Sequence, residues 1–149
     1  LLSIRPDERR PEPFGQGIYS GEVSRKTYDR ALEMASEELA KGRPVIIDGS
    51  YKSRAERLKA AAEARRLSAD FFVLECVCPD SIVKERLDAR QAEGRDPSDG
   101  RWEIFLAQKA DFDPIGGLAG SHITIDTSVP PEASLAEALG RIRGLREDP

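Results

Sequence analysis

An aspartate followed by small and hydroxyl-bearing residues is the first candidate for chemistry. Asp48 comes directly after the apolar run at 45–47 and is followed by Gly49, Ser50 and Tyr51. A carboxylate in that position can bind a substrate hydroxyl, orient water around Mg²⁺ or act as a base. Aspartates in turns also bond nearby backbone amides. Position alone therefore favours neither interpretation of Asp48, and Ser50 by itself is more typical of a turn.

Three arginines are the second candidate. Arg86 and Arg90 are one helical turn apart, where like charges repel by about 0.2–0.5 kcal/mol, and Arg95 follows in a polar turn. No acidic residue stands three or four positions from Arg86, so no intrahelical ion pair offsets its charge. Guanidinium groups bind phosphate oxygens in pairs of hydrogen bonds. The spacing permits a lid over about 86–100 that closes on phosphates, although a solvated basic face is the more common meaning of such spacing.

The remaining candidates carry weaker signals. Arg57 could face the same site as Asp48 or lie along its helix surface, and the helical pattern favours the surface. His122 has no serine, cysteine or acid at a recognisable spacing, which argues against a catalytic or metal role. Cys76 and Cys78, the two cysteines, stand two apart in an apolar run, and we expect reduced, largely buried thiols there. The sequence predicts no metal ligands.

Alternating helical and extended patterns must position these residues. Apolar residues at spacings of four, three and four predict a helix over about 20–41, with Gly42 beyond its end. Further helices are expected at about 53–67, 79–93, 100–110 and 134–145. Strands are expected at 44–48, 71–77 and 122–126.

Repeated β-α units of this length predict a parallel sheet with helices on both faces, a three-layer α/β fold in a single domain over 1–149. Ligands in such sheets bind at the carboxyl ends of the strands. Those ends are expected at Asp48, after Cys76 and at Asp126. Three strands are few for five helices, so the expected sheet lacks a strand.

Composition limits the partners. The 27 acidic and 23 basic side chains leave a net charge of -4, which gives no overall field favouring nucleic acid or an anionic membrane. No apolar run approaches the roughly 20 residues of a membrane span, and the first residues lack the pattern of a signal peptide. We expect a cytoplasmic protein. Leu1-Leu2-Ser3 reads as the middle of a domain, so we also expect a piece of a longer protein.

Several segments occur in a characteristic order. They are 14–20, Thr27-Tyr28, 42–51 with Arg57 nine residues after Asp48, Glu75-Cys76, Arg86-Leu87, Arg90 and Ser98-Asp99. This order resembles the AAA-type ATP-binding domains of the P-loop kinase superfamily, relatives of polynucleotide kinase, gluconate kinase and zeta toxin. It is also similar to the kinase-like domain attached to aminoglycoside-phosphotransferase-like domains in bacterial bifunctional proteins.

The resemblance implies that ATP and Mg²⁺ are the cofactors and that Asp48 and Arg86 act in catalysis. The residues implied to contact the ATP phosphates are Arg86, Arg90 and Arg95. The residues implied to face a hydroxyl acceptor are Asp48, Ser50 and Arg57. The loop near Thr127 would lie close to the adenine.

The family also has a Gly-x-x-Gly-x-Gly-Lys-Ser/Thr loop after its first strand and a Ser-Asp-x-x-Arg-Lys stretch, and the 149 residues contain neither. We therefore expect a P-loop NTPase-type parallel sheet that lacks its N-terminal strand and phosphate loop, completed by self-association or by an attached upstream domain. The intact parent would transfer the γ-phosphoryl group of ATP to a hydroxyl acceptor, and this part alone would be inactive. The alternatives are a non-catalytic nucleotide-sensing or regulatory module of a larger phosphotransferase-like protein and, less favoured, a flavodoxin-like partner-binding domain.

Overall fold

The computed structural model describes residues 21–93, 101–118 and 120–147. Within them the chain forms five helices and two strands. In chain order these are α1 (Gly21–Leu39), α2 (Arg54–Arg66), β1 (Val73–Val77), α3 (Asp80–Glu93), α4 (Trp102–Ala110), β2 (His122–Asp126) and α5 (Pro131–Glu147). Arg95 and the other residues at 94–100, for which a turn is predicted, lie outside the described residues.

Helices α1 and α2, which precede both strands in the sequence, pack against each other. Gly42 follows α1 with a φ of +74°, a left-handed conformation that glycine adopts without steric cost. Ala35 of α1 and Ala60 and Ala64 of α2 are buried, and such small side chains allow two helices to approach closely. Across the described part of the chain, no helix is long and apolar enough to cross a membrane.

The two strands pair in parallel, from Val73 opposite His122 to Val77 opposite Asp126. Helices α3 and α4 lie between them in sequence, as the β-α pattern predicts, and α5 packs on β2. The core joins Ile123, Ile125 and Ala138, with Phe72 and Ile142 packed against them. Successive strand residues point to opposite faces, so α5 covers the face that carries the two isoleucines.

The strand expected at 44–48 is not formed, and that prediction is wrong for the described structure. Val45 is 36% exposed and Ile46 is 93% exposed, although both are strongly apolar. A strand exists through the hydrogen-bond ladder of a neighbour, and the described residues contain only the β1–β2 pair. The arrangement is thus mixed α/β with a small parallel sheet, and the three-layer sheet stays a prediction.

The expectation of buried thiols is also wrong. Both cysteines are free, but Cys76 is exposed and Cys78 is only half-buried. Cys76 lies on the same face of the sheet as Ile123 and Ile125, but α5 packs on β2, so the β1 part of that face stays accessible. Leu74, in the same strand, is 44% exposed for the same reason.

Candidate functional site

The loop between α1 and α2 contains the first group of candidate residues. The Asp48 side chain is exposed and forms no hydrogen bond or ion pair within the described part of the chain. Gly49 lies against α1, since a Cβ added to it would be 3.4 Å from Cε1 of Tyr28. The loop therefore presents an unengaged carboxylate directly beside a point where the backbone touches an aromatic ring.

Tyr28 fixes the conformation of this loop. Its hydroxyl shares a hydrogen bond of 2.9 Å with the Ser50 hydroxyl and accepts the Tyr51 N–H at 3.1 Å. The Tyr28 and Tyr51 rings are 4.5 Å apart and tilted by 44°. Tyr51 has a φ of +37°, which is unfavourable for a bulky residue and is held by these contacts. Asp48 and Ser50 thus lie on one loop that Tyr28 holds in place, and their shared role towards an acceptor stays a prediction.

Arg57 occupies a different position from the one its sequence suggests. Only 2% of its surface is exposed, and its guanidinium donates to backbone carbonyls on two separate loops. Nη1 donates to the carbonyl oxygens of Tyr51 and Lys52, at 2.6 and 3.0 Å. Nη2 donates to those of Asp113 and Pro114, at 2.6 and 3.1 Å. Through these four bonds Arg57 joins the Asp48 loop to the segment after α4. A role of Arg57 towards an acceptor stays a prediction.

Asp113 strengthens the same junction. Its carboxylate accepts the Arg54 N–H at 2.8 Å at the start of α2, and its own N–H donates to the Lys52 carbonyl at 3.0 Å. Ser53, the residue before α2, makes no side-chain cap bond. Lys52 also pairs with Asp111. Local spacing gave no sign of Asp111 and Asp113 as partners, because each lies 59 positions from the residue it binds.

Arg86 lies at the carboxyl ends of the two strands. Its Nη1 donates to the Thr127 carbonyl at 2.9 Å and lies 3.9 Å from Sγ of Cys78. Thr127 in turn donates to the Val77 carbonyl through its N–H, at 2.8 Å, and through its hydroxyl, at 3.0 Å. The arginine that lacks an intrahelical partner therefore has one at the end of β2. Ligands of parallel sheets bind at this edge.

The turn after β2 is equally well defined. The Asp126 carboxylate accepts the Ser128 N–H at 2.7 Å, and the Ser134 hydroxyl donates to the Asp126 carbonyl at 2.8 Å. Hydrogen bonds from the Ser128 side chain and backbone lower the pKa of Asp126. The backbone beside Arg86 is thereby held in one conformation.

The structure gives less information on the other two predicted lid arginines. Arg90 is exposed near the end of α3, and Arg95 lies outside the described residues. Within the described residues no hydrogen bond or ion pair joins Asp48 to Arg86 directly. They are connected through α4: Lys109 pairs with Asp80 of α3 at 2.7 Å, and the segment after α4 binds the Asp48 loop.

His122 has an acidic partner that spacing did not reveal. Its Nε2 lies 2.9 Å from Oε2 of Glu75, which Thr124 also contacts at 3.4 Å, on the face of the sheet opposite the core. Glu75 stands 47 positions away and reaches His122 only through strand pairing. Among the described residues, no group of three or more His, Cys, Asp and Glu side chains could hold a metal ion.

A cleft of about 430 Å³ lies at the other edge of the sheet. It is lined by Ala61 and Arg65 of α2, by Phe71 just before β1 and by Ser121 just before β2. These positions mark the amino ends of the strands. Because ligands of parallel sheets bind at the carboxyl ends, the edge that carries Arg86 is the better candidate site.

Comparison with known proteins gives one family. The family model described as AAA domain matches residues 3–115, a range that contains Asp48, Arg57 and Arg86. An uncharacterized protein of Mycobacterium tuberculosis strain H37Rv is 30% identical over 132 residues, which is 86% of this chain and 24% of that protein. Uncharacterized proteins of M. tuberculosis strain CDC 1551 and of Mycobacterium bovis match to the same extent. The chain thus spans 24% of the length of these curated relatives. No solved structure matches it.

Proposed function

Because the chain belongs to the AAA domain family, in its P-loop kinase-type branch, we propose that its parent protein transfers the γ-phosphoryl group of ATP to a hydroxyl acceptor. The observation that carries the proposal is the position of Arg86. Its guanidinium lies where β1 and β2 end, bonded to the backbone of Thr127. This is the edge at which nucleotides bind to parallel sheets.

Arg86 is proposed to bind the phosphates of ATP. A guanidinium has five N–H donors in a planar fork, and the described contacts of Arg86 involve only Nη1. The remaining donors can bind phosphate oxygens while the Thr127 contact keeps the side chain oriented. Arg90 and Arg95 are proposed to contact the same phosphates. In phosphoryl transfer such cations stabilise the charge that spreads over the γ-phosphate oxygens.

Asp48 is proposed to act on the acceptor. Its carboxylate has no described partner, so it can accept the proton of an acceptor hydroxyl. The hydroxyl oxygen forms the new bond to the γ-phosphorus as the bond to the β–γ bridging oxygen breaks, and ADP leaves. Ser50, held by Tyr28, can bind a neighbouring hydroxyl of the acceptor.

The described residues offer few carboxylates to a magnesium ion. The described residues contain no cluster of three or more acidic, histidine or cysteine side chains, and Mg²⁺ commonly binds through phosphates, water and one or two carboxylates. Asp48 is the carboxylate proposed to reach the ion or one of its waters. When bound, Mg²⁺ would neutralise part of the phosphate charge.

A second candidate is a nucleotide-sensing or regulatory module. The observation that favours it is the greater length of the relatives, of which this chain corresponds to 24%. A nucleotide bound to this domain could therefore act on the rest of such a protein. Under this proposal ATP binds without being consumed.

One experiment separates the two candidates. ATP binding and Mg²⁺-dependent ATP consumption are measured for the protein in its natural length, for Asp48→Asn and for Asp70→Asn. Asp70 is the matched control because its exposed pair with Arg146 is remote from the site. For a kinase, Asp48→Asn keeps ATP binding and loses at least about 100-fold in turnover, the usual contribution of a general base. Binding without turnover in the unchanged protein supports the sensor, and absence of ATP binding contradicts both.

A further inference from the structure

Two carboxylates beside the Asp48 loop have no described hydrogen-bond or ion-pair partner. Asp48 is exposed at the loop itself, and Glu56 lies in the first turn of α2. Glu56 is close enough to Tyr51 for its charge to act on the phenol. Burial, the Tyr28 phenol and the Glu56 carboxylate all raise the pKa of Tyr51, and no cation acts against them. The side-chain charges that act on the Tyr51 phenol are therefore negative rather than positive.

The cations nearest in sequence are engaged elsewhere. Lys52 pairs with Asp111, and Lys59 pairs with Asp29 of α1 while its charge also interacts with Glu56 at longer range. Arg57 is buried against backbone carbonyls. An anion at the loop would have to break one of these contacts to gain a partner.

Arg54 is drawn towards the segment after α4. Its Nε donates to the Gly116 carbonyl at 3.4 Å, and a Cβ added to Gly117 would lie 3.1 Å from its Nη2. Arg25, on α1, is exposed, and its positive charge acts on Lys59 and Glu22. It is not among the groups that influence Tyr51.

Hydroxyls and aromatic rings complete the surface. The Ser50 and Tyr28 hydroxyls bond each other and retain acceptor capacity for further hydrogen bonds. The Tyr28–Tyr51 ring pair is partly exposed and offers an apolar face, which also attracts a cation. Carboxylate oxygens, hydroxyls and an aromatic face are groups that bind polyols and ammonium groups.

From this arrangement we propose that the acceptor is a neutral or positively charged polyhydroxy compound, such as a sugar or an amino sugar, and that Asp48 and Glu56 exclude anionic acceptors. This inference rests on the proposed function, because it assigns the Asp48 loop to the acceptor. It adds the chemical class of the acceptor and gives Glu56 a role in specificity.

Three ligands with one ring skeleton test the charge preference: glucosamine, glucose and glucose 6-phosphate. Their binding to the natural-length protein is followed by saturation-transfer NMR without nucleotide, so that the result does not depend on phosphoryl transfer. Glucosamine is expected to bind at least about tenfold more tightly than glucose 6-phosphate, with glucose between them. Raising the salt concentration should narrow that difference, because it screens exposed charges.

Two substitutions test whether Asp48 and Glu56 cause this preference for a positively charged ligand. Asp48→Asn and Glu56→Gln should each weaken glucosamine binding and strengthen glucose 6-phosphate binding, while Asp70→Asn changes neither. Glu56→Gln and the salt series keep the test decisive if Asp48→Asn does not fold. The proposal is overturned if glucose 6-phosphate binds as tightly as glucosamine, if none of the three binds, or if both variants keep the original ranking. Loss of ATP turnover with the ranking intact would contradict only the kinase proposal.

Discussion

At Arg57 a positive charge is removed from water, and no ion pair joins it to a carboxylate of the described residues. The guanidinium is balanced by four carbonyl oxygens and by the Phe112 ring, whose centroid lies 4.9 Å from Cζ. Its Nε is buried without a hydrogen-bond partner within the described residues. The four bonds of Nη1 and Nη2 offset the cost of burying the charge, and the unpaired Nε reduces that gain. Arg57 should therefore contribute more to stability than an exposed arginine of the same helix.

The first prediction concerns the Arg57 clamp, by which we mean the four hydrogen bonds from Arg57 to the carbonyls of Tyr51, Lys52, Asp113 and Pro114. Arg57→Met removes the four hydrogen bonds and frees both loops, and should lower the free energy of unfolding by about 3 kcal/mol. Arg65→Met, an exposed position on the same helix, should change it by less than about 0.5 kcal/mol. Urea unfolding of the two variants measures both values. Equal losses would show that Arg57 is not a clamp.

Some positions of the site residues could be predicted from the sequence and others could not. Asp48 and Ser50 share one loop because they are two positions apart, whereas the bond of Arg86 to Thr127 spans 41 positions. The bond between Tyr28 and Ser50 spans 22 positions, and that from Arg57 to Asp113 spans 56. Spacing within a helix or turn carries no information about such contacts. The clamp and the Tyr28 contact were therefore not predictable from pattern.

Among the elements, helices were predicted better than strands. All five helices and the strands at 73–77 and 122–126 lie within a few residues of their predicted positions, because apolar periodicity is a local property. The strand at 44–48 has an equally apolar sequence but no ladder partner in the described structure. A strand depends on a neighbour that the segment itself does not encode.

A charged contact between α1 and α2 gives a prediction about pH. The Ser36 hydroxyl donates to Oε1 of Glu63 at 2.8 Å, and Arg66 pairs with the same carboxylate at 2.7 Å. Hydrogen bonds from Arg66 and then Ser36 lower the pKa of Glu63 from 4.5 to about 2. A lowered folded-state pKa stabilises the fold above the unfolded value, so this contribution is complete above about pH 4.5 and is lost as the pH falls towards 2.

Glu63→Gln should reveal that contribution. The variant is expected to unfold at lower urea concentration than the unchanged protein at neutral pH, and the difference should shrink to nothing as the pH approaches about 2. Glu37→Gln, at an exposed position on α1, is the control and should show no such convergence. A difference that is constant with pH would contradict the assignment to Glu63.

On the scale of the whole molecule, two groups of elements carry the two halves of the proposed chemistry. Helices α1 and α2 hold the Asp48 loop, and β1, β2 and α3 hold Arg86. Helix α4 and the segment after it connect them, through the Lys109–Asp80 pair and the bonds of Asp113. Phosphoryl transfer depends mainly on positioning, so this connection is where the acceptor and phosphate sides would be brought into register.

The most direct test of the account is whether Arg86 binds the phosphates of ATP. Affinities of the natural-length protein for ATP with Mg²⁺ and for AMP are compared with those of Arg86→Ala and of Arg143→Ala, an exposed control on α5. We expect Arg86→Ala to weaken ATP binding at least about tenfold, the loss of one charge-assisted hydrogen bond, while AMP binding changes little and Arg143→Ala alters neither. A folded Arg86→Ala protein that binds ATP as well as before, or that loses ATP and AMP equally, would contradict it.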